Sequence, residues 1–275
     1  MRLVRLSTVF ALLFSPAPLL AQQSDRESDA EWLEKCREGR SWGSDARGRA
    51  CEVRNVPVRL SGRSIAIDGR QNGGVRVFGW DRDQVQVTAR MQAQDRTDAE
   101  ASELLSRIRI VADERGVRAE GPSADRDYGG WSVGYYVNVP RRFDLDLAAH
   151  NGGLSVAGVT GKLALDTHNG SVGLVDVGGE VRAQTHNGSL SVQLAGTQWD
   201  GTGLDAETRN GSVRLAVPAQ YAAQLETGTV NGSIRTDIPV TLSGRISRRL
   251  SIPLGGGGRT IRAVTTNGSV SITRR

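Results

Sequence analysis

The chain has 275 residues, of which 34 are glycine and 5% are aromatic, and its formal net charge at pH 7 is +5. Nearly all of the positive charge is arginine, since Lys35 and Lys162 are the only lysines, and acidic residues are interspersed with it. No run of basic residues approaches a nucleic-acid-binding arm, so the sequence predicts no nucleic-acid partner. The low aromatic content favours short strands and tight turns around a narrow core.

Residues 1–21 have the layout of a secretory signal peptide. They begin with two arginines, continue with an apolar run over 6–20 that two prolines interrupt, and end at the small residue Ala21. The apolar run is short for a membrane span. We therefore expect an exported mature chain that starts near Gln22, has no transmembrane segment, and is periplasmic, extracellular or associated with the cell surface.

Residues 22–51 contain both cysteines of the chain, Cys36 and Cys51. In an exported protein two cysteines most often pair, so the sequence predicts a disulfide, with free thiols as the alternative. Two isolated thiols supply too few ligands for a metal site. The stretch "AEWLEKCREG" at 30–39 is compatible with a short helix.

Residues 52–140 read as a β-rich region with one helix. The stretches "SIAIDG", "GVRVFGW" and "QVQVTARMQ" predict strands, because β-branched and apolar residues alternate with polar ones. Thr97 followed by Glu100 is a capping-box signature, and the apolar residues after it share one helical face. The helix is therefore expected near 98–107.

Residues 141–275 are dominated by a repeat built around Asn-Gly pairs. The asparagines at 151, 169 and 187 are 18 residues apart, and the later steps are 23, 21 and 36. Apolar residues fall three and five places after each asparagine, except that Thr236 occupies the second of these places after Asn231. They alternate with polar residues, which predicts strands with one buried face. The expected structural turns are Asn151-Gly152, Asn169-Gly170, Asn187-Gly188, Asn210-Gly211, Asn231-Gly232 and Asn267-Gly268. We expect glycine here because it adopts positive φ at no steric cost.

Two folds fit this repeat. Successive copies can stack in parallel as coils of a β-solenoid, or each Asn-Gly pair can close an antiparallel hairpin in a meander. Near-identical copies favour stacking, because like residues then lie on like. The sequence thus predicts an all-β, single-chain stacked β-solenoid of about 18 residues per coil over 141–275, with 52–140 as its N-terminal cap. Stacking predicts the contacts Leu163–Val181, Val172–Leu190 and Leu174–Val192.

The step of 36 residues between Asn231 and Asn267 is twice 18. Ile252 and Leu254 fall where the intervening copy would place its apolar pair. We interpret residues 249–254 as part of a full coil that has lost its Asn-Gly corner.

Several stretches resemble a bacterial family of β-strand-repeat proteins, the adhesin-type or toast-rack domain of unknown function. They are the Asn-Gly repeat itself, "WDRDQVQV" at 80–87, "VPRRFDLDL" at 139–147 and "TVNGSI" at 229–234. The resemblance spans roughly residues 52–275. It implies an exported or envelope-associated stacked β structure, and it brings no catalytic residues to transfer.

All three histidines, His150, His168 and His186, precede an Asn-Gly pair. Stacked coils would place them about 4.8 Å apart, so a transition-metal site is conceivable. However, the equivalent later positions hold Arg209, Val230 and Thr266, residues that cannot share one ligand geometry. Aspartates also share no phase with the repeat, which argues against a calcium ladder. We expect no metal and no cofactor.

The sequence contains no nucleophile elbow, phosphate loop or zinc-protease motif. The first hypothesis is a non-enzymatic exported β-repeat protein that serves as a surface or envelope binding module of adhesin type. The second is an envelope-stress or sensory accessory that acts through a protein partner, and the third is a carbohydrate-active β-helix enzyme. An envelope glycan or a protein is the candidate partner.

Overall fold

A computed structural model of the chain describes residues 27–39, 48–60, 62–123, 130–238 and 249–275. The expected signal peptide lies outside the described residues. Within the described part, no helix is both long and apolar enough to cross a membrane.

The described chain is all-β apart from two helices, α1 (Asp29–Arg37) and α2 (Asp98–Ser106). The first strands are β1 (Gly48–Val56), β2 (Ser64–Asp68), β3 (Val75–Trp80), β4 (Gln86–Asp95), β5 (Arg109–Asp113), β6 (Gly116–Glu120) and β7 (Gly130–Pro140). The next are β8 (Asp144–Ala149), β9 (Leu154–Ala157), β10 (Thr160–Thr167), β11 (Val172–Val175), β12 (Gly178–Asn187), β13 (Leu190–Gln193), β14 (Gly201–Asn210) and β15 (Val213–Val217). The last are β16 (Ala223–Asn231), β17 (Ile234–Thr236), β18 (Arg249–Leu254), β19 (Thr260–Asn267) and β20 (Val270–Arg274).

The strands form two ten-stranded sheets that enclose one apolar core. Sheet A has the order β1-β4-β7-β3-β9-β11-β13-β15-β20-β17, and sheet B has the order β18-β16-β19-β14-β12-β10-β8-β2-β6-β5. Each repeat places one strand in sheet B and the next in sheet A. Alternate residues of each strand, such as Val172 and Leu174, point into the core, as the period of two requires.

Like strands of successive repeats pair in parallel and in register. Leu163 of β10 pairs with Val181 of β12, and in β11 Val172 pairs with Leu190 and Leu174 with Val192. These are the predicted contacts, and β10 pairs with β8 and β12 rather than with β11. The hairpin-meander alternative is therefore wrong for this region. The step between partners is 18 residues here, whereas from β12 to β14 it is 23 because the chain carries an insertion.

The stacking extends into residues that the sequence analysis assigned to the cap. β2 and β3 pair in parallel with β8 and β9, with Ile65 opposite Leu145 and Val75 opposite Leu154. The period of 18 is hidden at this point because β4, α2 and β5–β7 are inserted between the two copies, so that Asn72 and Asn151 are 79 residues apart. The inserted elements extend both sheets at this end.

At the other end, order along the chain and order in the stack differ. β19 lies between β14 and β16, and β20 lies between β15 and β17. β18 is an antiparallel partner of β16 at the edge of sheet B, with Ile252 opposite Leu225. The interpretation of residues 249–254 as part of a full coil is therefore wrong. Alternating apolar residues specify a strand with one buried face but not its direction.

Both helices pack near the start of sheet A. α2 begins at Thr97, whose hydroxyl accepts from the backbone N–H of Glu100, close to the expected boundary. α1 begins with a complete capping box between Ser28 and Glu31, which the sequence analysis did not identify. The expected disulfide joins Cys36 of α1 to Cys51 of β1, with 6.3 Å between the Cα atoms.

Candidate binding groove

The predicted structural turns meet at one corner of the stack, where their asparagines form a continuous row. In stack order the row is Asn72, Asn151, Asn169, Asn187, Asn210, Asn267 and Asn231. From Asn151 onwards, each side-chain amide donates to Oδ1 of the preceding asparagine, at 2.7–3.2 Å. An amide carries both a donor and an acceptor, so an in-register row can satisfy itself along its whole length.

At five of the six predicted Asn-Gly turns the glycine is required for a reason that differs from the expected one, and only Gly268 has positive φ (157°). Gly170 is absent from the residues with positive φ. A Cβ at Gly170 would instead lie 2.0 Å from the carbonyl oxygen of Gly152, its neighbour in the stack. Positive φ occurs at other turns, for example at Gly158 (67°) and Asp176 (51°). The constraint at the Asn-Gly corner is therefore close backbone approach between neighbouring coils.

A second polar row, which the sequence analysis missed, lies directly behind the asparagines. A threonine two places before the asparagine donates its hydroxyl to the carbonyl of the corner glycine in the neighbouring coil, as Thr185 does to Gly170 at 2.7 Å. Thr167, Thr208, Thr229 and Thr265 do the same at 2.7–2.8 Å. All are buried. The recurring threonine in "DTHNGS" and "QTHNGS" was the available signal.

The three histidines stack on one another. The ring centroids of His150 and His168 are 4.9 Å apart, those of His168 and His186 are 4.7 Å apart, and the interplanar angles are 2° and 16°. The spacing agrees with the predicted one. Parallel rings keep their nitrogen atoms in separate planes instead of directing them at one centre. Within the part of the chain that the structure describes, no group of three or more His, Cys, Asp or Glu residues could hold a metal.

A candidate binding site is a groove on the outer face of sheet A. It consists of two adjoining depressions of about 560 and 220 Å³ that share Gly74, Gly134 and Tyr136. We call it the outer groove. The residues that give it its character are Trp32, Asn72, Arg76, Phe78, Gln92, Arg90, Gly134, Tyr136, Asn151, Ser155 and Gly173.

Aromatic rings and guanidinium groups alternate along this groove. The Arg90 guanidinium lies 3.8 Å from the ring centroid of Tyr136 and 5.7 Å from that of Trp32, and the Arg76 guanidinium lies 5.4 Å from that of Tyr136. Such contacts hold a cation over the negative face of a ring. The order is therefore Trp32, Arg90, Tyr136 and Arg76.

Arg90 is the fixed member of this series. Its side chain is only 4% exposed. Its Nε donates to Asp29 at 2.9 Å, and its two other nitrogens donate to the carboxylate and the carbonyl of Glu27 at 2.9 and 2.7 Å. A buried guanidinium needs such compensation. Arg90 thereby attaches the start of α1 to the sheet, and it holds Tyr136 in place.

Arg76 is the free member. Its side chain is exposed, and among the described residues no carboxylate lies within 4.0 Å of its guanidinium. The described residues that line the two depressions also include no Asp or Glu. The groove thus presents a positive charge that no carboxylate of the described residues pairs with directly.

Two glycines in the floor of the groove have no folding role that we can identify. A Cβ at Gly134 would meet its nearest atom at 4.0 Å and one at Gly173 at 3.7 Å, both ordinary contacts. Neither residue has positive φ. Glycine weakens a strand, and in a strand it often marks a place where a ligand approaches the backbone. These glycines contrast with Gly170, which the stack itself requires.

Other charged clusters are internally neutralised. On sheet B, Arg262 donates to both Asp205 and Glu207, and these contacts outweigh the opposing effect of burial and raise the pKa of Arg262. Near β6, hydrogen bonding from Arg118 lowers the pKa of Asp113 to about 2. Because the charged groups of these clusters are already paired within the protein, the clusters are weaker candidates for a binding site than the outer groove.

Of the groove residues, sequence reasoning singled out only Asn151, and it did so as part of a structural turn and not as a binding residue. β3 and β7 lie side by side with Arg76 opposite Tyr136, yet the two residues are far apart in the chain. The one local sequence signal for the groove was a glycine inside each of the apolar strands "WSVGYYVNVP" and "SVGLV", namely Gly134 and Gly173. Glycine is disfavoured in strands, so its presence there calls for a reason.

Three comparisons with known proteins bear on the chain. The family model described as Toastrack DUF4097 matches residues 129–273, slightly more than half of it. No curated protein matches.

Among solved structures, a "putative cell adhesion protein" from Clostridium sporogenes ATCC 15579 is 8% identical, with 82% of this chain and 100% of that chain covered and a TM-score of 0.45. A "putative adhesin" from Bacteroides fragilis NCTC 9343 is 11% identical, with 82% and 97% covered and a TM-score of 0.37. A "putative lipid binding protein" from Parabacteroides distasonis ATCC 8503 is 12% identical, with 82% and 96% covered and a TM-score of 0.28. Likeness at this level carries no argument on function.

Proposed function

The chain belongs to the Toastrack DUF4097 family, and from this premise we propose that it is a non-enzymatic, exported binding module of adhesin type. Its binding surface is the outer groove, and its ligand is a component of the cell envelope or of a surface that the cell contacts. Stacked coils of about 18 residues form the rigid scaffold. The disulfide supports a location outside the cytoplasm, because such bonds persist in oxidising compartments.

One observation carries the proposal. Arg76 is an exposed cation that pairs with no carboxylate in the described part of the chain, and Tyr136 and the buried Arg90 behind it limit its freedom. A charged group that is held in place loses less conformational entropy when it binds. It stands at the rim of an open groove whose floor contains Gly173. This geometry favours recognition of an extended ligand.

The groove supports binding better than hydrolysis. Glycosidases in most families use two carboxyl groups that flank the scissile bond, and the described lining residues of the groove supply none. The second hypothesis, an accessory that acts through a protein partner, remains a prediction. Genes for sensor kinases or stress regulators next to the gene of this protein would favour it.

The test is to block the floor of the groove. Gly173→Leu fills it, since a Cβ there would meet its nearest atom at 3.7 Å, and Ala164→Leu is the matched control, because Ala164 is a half-exposed position of β10 on the outer face of sheet B. We expect co-sedimentation of the purified protein with isolated envelope polysaccharide to fall about tenfold for Gly173→Leu and to stay within twofold for Ala164→Leu. Equal binding by both variants and the unchanged protein would overturn the groove as the binding surface.

A further inference from the structure

The outer groove is one end of a longer row of residues that crosses sheet A. Each member pairs with the next on the neighbouring strand. From β7 to β17 the row reads Tyr136, Arg76, Ser155, Gly173, Ser191, Arg214, Ser271 and Arg235. We call it the arginine row.

The three arginines of the row share one property. Arg76, Arg214 and Arg235 are all exposed, and none has a carboxylate within 4.0 Å of its guanidinium among the described residues. Arg76 and Arg214 are four strands apart and Arg214 and Arg235 are two, which at the usual strand spacing gives about 19 Å and about 10 Å. The residues between these arginines are serines and glycine, and their small side chains leave the surface from one arginine to the next unobstructed.

Between Arg76 and Arg214 the flanking rows on this face add no negative charge, and the carboxylate near Arg235, that of Asp237, accepts from the backbone N–H of Arg274 at 2.8 Å. One is rich in hydroxyls and consists of Ser171, Ser189, Ser212, Ser269 and Ser233, and the other consists of Phe78, Ala157, Val175, Gln193, Ala216 and Thr273. Ser233 and Ser269 are within hydrogen-bond distance at 3.2 Å. The surface therefore combines fixed cations with many hydroxyl groups.

The outer face of sheet B has the opposite character. Its outward positions include seven acidic residues, Asp144, Asp146, Asp166, Glu180, Asp205, Glu207 and Glu226. The fold thus distributes unequally the charges that look evenly mixed in the sequence, since sheet B carries these acidic residues together with the cations Lys162, Arg182 and Arg262, whereas the charged members of the arginine row are all cations. A linear polyanion is therefore attracted more strongly to the arginine row than to the outer face of sheet B.

We propose that the arginine row binds an acidic polysaccharide of the uronate type, which lies across the strands with its carboxylates on Arg76, Arg214 and Arg235. This rests on the proposed function and names the ligand class of the same surface. The planar guanidinium fork matches a carboxylate in two parallel hydrogen bonds. Each uronate carboxylate also carries one negative charge, which balances the one positive charge of the arginine that it contacts.

A nucleic acid is the other linear polyanion, and the surface suits it less. Single-stranded nucleic acids bind through aromatic side chains on which successive bases stack. Between Arg76 and Arg235 the row offers only serine and glycine besides Arg214. Hydroxyl-rich rows suit the hydroxyl groups of sugars.

Affinity electrophoresis in gels that contain polygalacturonate tests the proposal, with its fully methyl-esterified form as the neutral counterpart. The variant Arg76→Gln/Arg214→Gln removes two charges from the row. Lys162→Gln/Arg182→Gln removes two from sheet B and is the matched control. We expect the row variant to bind polygalacturonate about tenfold more weakly, since each exposed charge pair contributes about 0.2–1 kcal/mol or somewhat more. The control should stay within twofold, and binding to the ester should be weak.

Several outcomes would overturn the proposal. They are an equal loss in both double variants, equal binding to the ester, and equal or tighter binding of dextran sulfate or single-stranded DNA. Absence of binding to polygalacturonate would overturn it as well. If Gly173→Leu still weakens binding to envelope polysaccharide while polygalacturonate and its ester bind equally well, the outer groove remains the binding surface. In that case only its proposed preference for acidic sugars is wrong.

Discussion

The side-chain amide of Asn187 donates to Oδ1 of Asn169 at 2.8 Å, although the two residues are 18 apart in the chain. Asn169 in turn donates to Asn151 at 2.8 Å. Each interior asparagine is therefore both donor and acceptor in one row, and its removal affects two contacts.

Asn169→Ala should lower the free energy of unfolding by about 1 kcal/mol, because two side-chain hydrogen bonds are lost at an exposed corner. His168→Thr, one residue earlier, should change it by less than about 0.5 kcal/mol, since the exposed imidazole only stacks on its neighbours. Urea titration followed by circular dichroism measures both. A larger effect for His168→Thr would show that the histidine stack, and not the asparagine row, stabilises this corner.

Two glycines three residues apart should respond in opposite ways to alanine. In Gly170→Ala the new Cβ would lie 2.0 Å from a backbone oxygen, so the coils must separate, and we expect a loss of more than about 2 kcal/mol. In Gly173→Ala the nearest atom would be at 3.7 Å, and loss of unfolded-state entropy should leave stability unchanged or raise it by up to about 1 kcal/mol.

Thermal and urea midpoints of these two variants give the comparison directly. Similar destabilisation by both would mean that Gly173 also serves the fold, and the argument that its strand position is kept open for a ligand would fail.

Alkaline pH should destabilise the protein through buried tyrosines. Burial raises the pKa of Tyr135, with a further contribution from Asp68, and burial raises the pKa of Tyr221 to about 12. Above about pH 10 the unfolded chain releases protons that the folded chain keeps. Stability is therefore complete below pH 10 and falls as the pH rises towards the folded-state pKa, by up to about 1.4 kcal/mol per pH unit for Tyr135.

Tyr135→Phe isolates this effect. The hydroxyl of Tyr135 is buried and has no hydrogen-bond partner among the described residues, so its removal should raise stability at pH 7 by about 1 kcal/mol and flatten the alkaline decline. Tyr136→Phe, at a half-buried position, is the control and should keep the decline of the unchanged protein. Identical pH profiles for Tyr135→Phe and the unchanged protein would contradict the assignment.

The disulfide should contribute measurably to stability. Cys36 and Cys51 are 15 residues apart, and closure of a loop of this length stabilises a fold by about 3 kcal/mol in the chain-entropy model. Reductant should therefore lower the urea midpoint of the unchanged protein and leave that of Cys36→Ser/Cys51→Ser unaltered. Peptide mapping should show a linked pair that separates on reduction, whereas two alkylatable thiols in extracytoplasmic material would count against the bond.

Some features were readable from local sequence. Thr97 and Glu100 predicted the start of α2, because a helix cap is made by residues within one turn of each other. Leu174 and Val192 could be predicted as partners because near-identical copies bring like positions together. The threonine row was also readable, since Thr167 and Thr185 precede the asparagine at a constant offset, but its partner is a carbonyl that belongs to another coil.

Other features depended on contacts between distant parts of the chain. The sequence alone determined that this is an all-β repeat protein with one buried face per strand, because side-chain alternation and spacing are properties of neighbouring residues. Only the tertiary structure decided that β18 runs antiparallel, that β19 lies between β14 and β16, and that Arg76 meets Tyr136. Strand order, strand direction and the alignment of Arg76, Arg214 and Arg235 in one row follow from which edges are free to pair when the chain folds, and no local pattern encodes that choice.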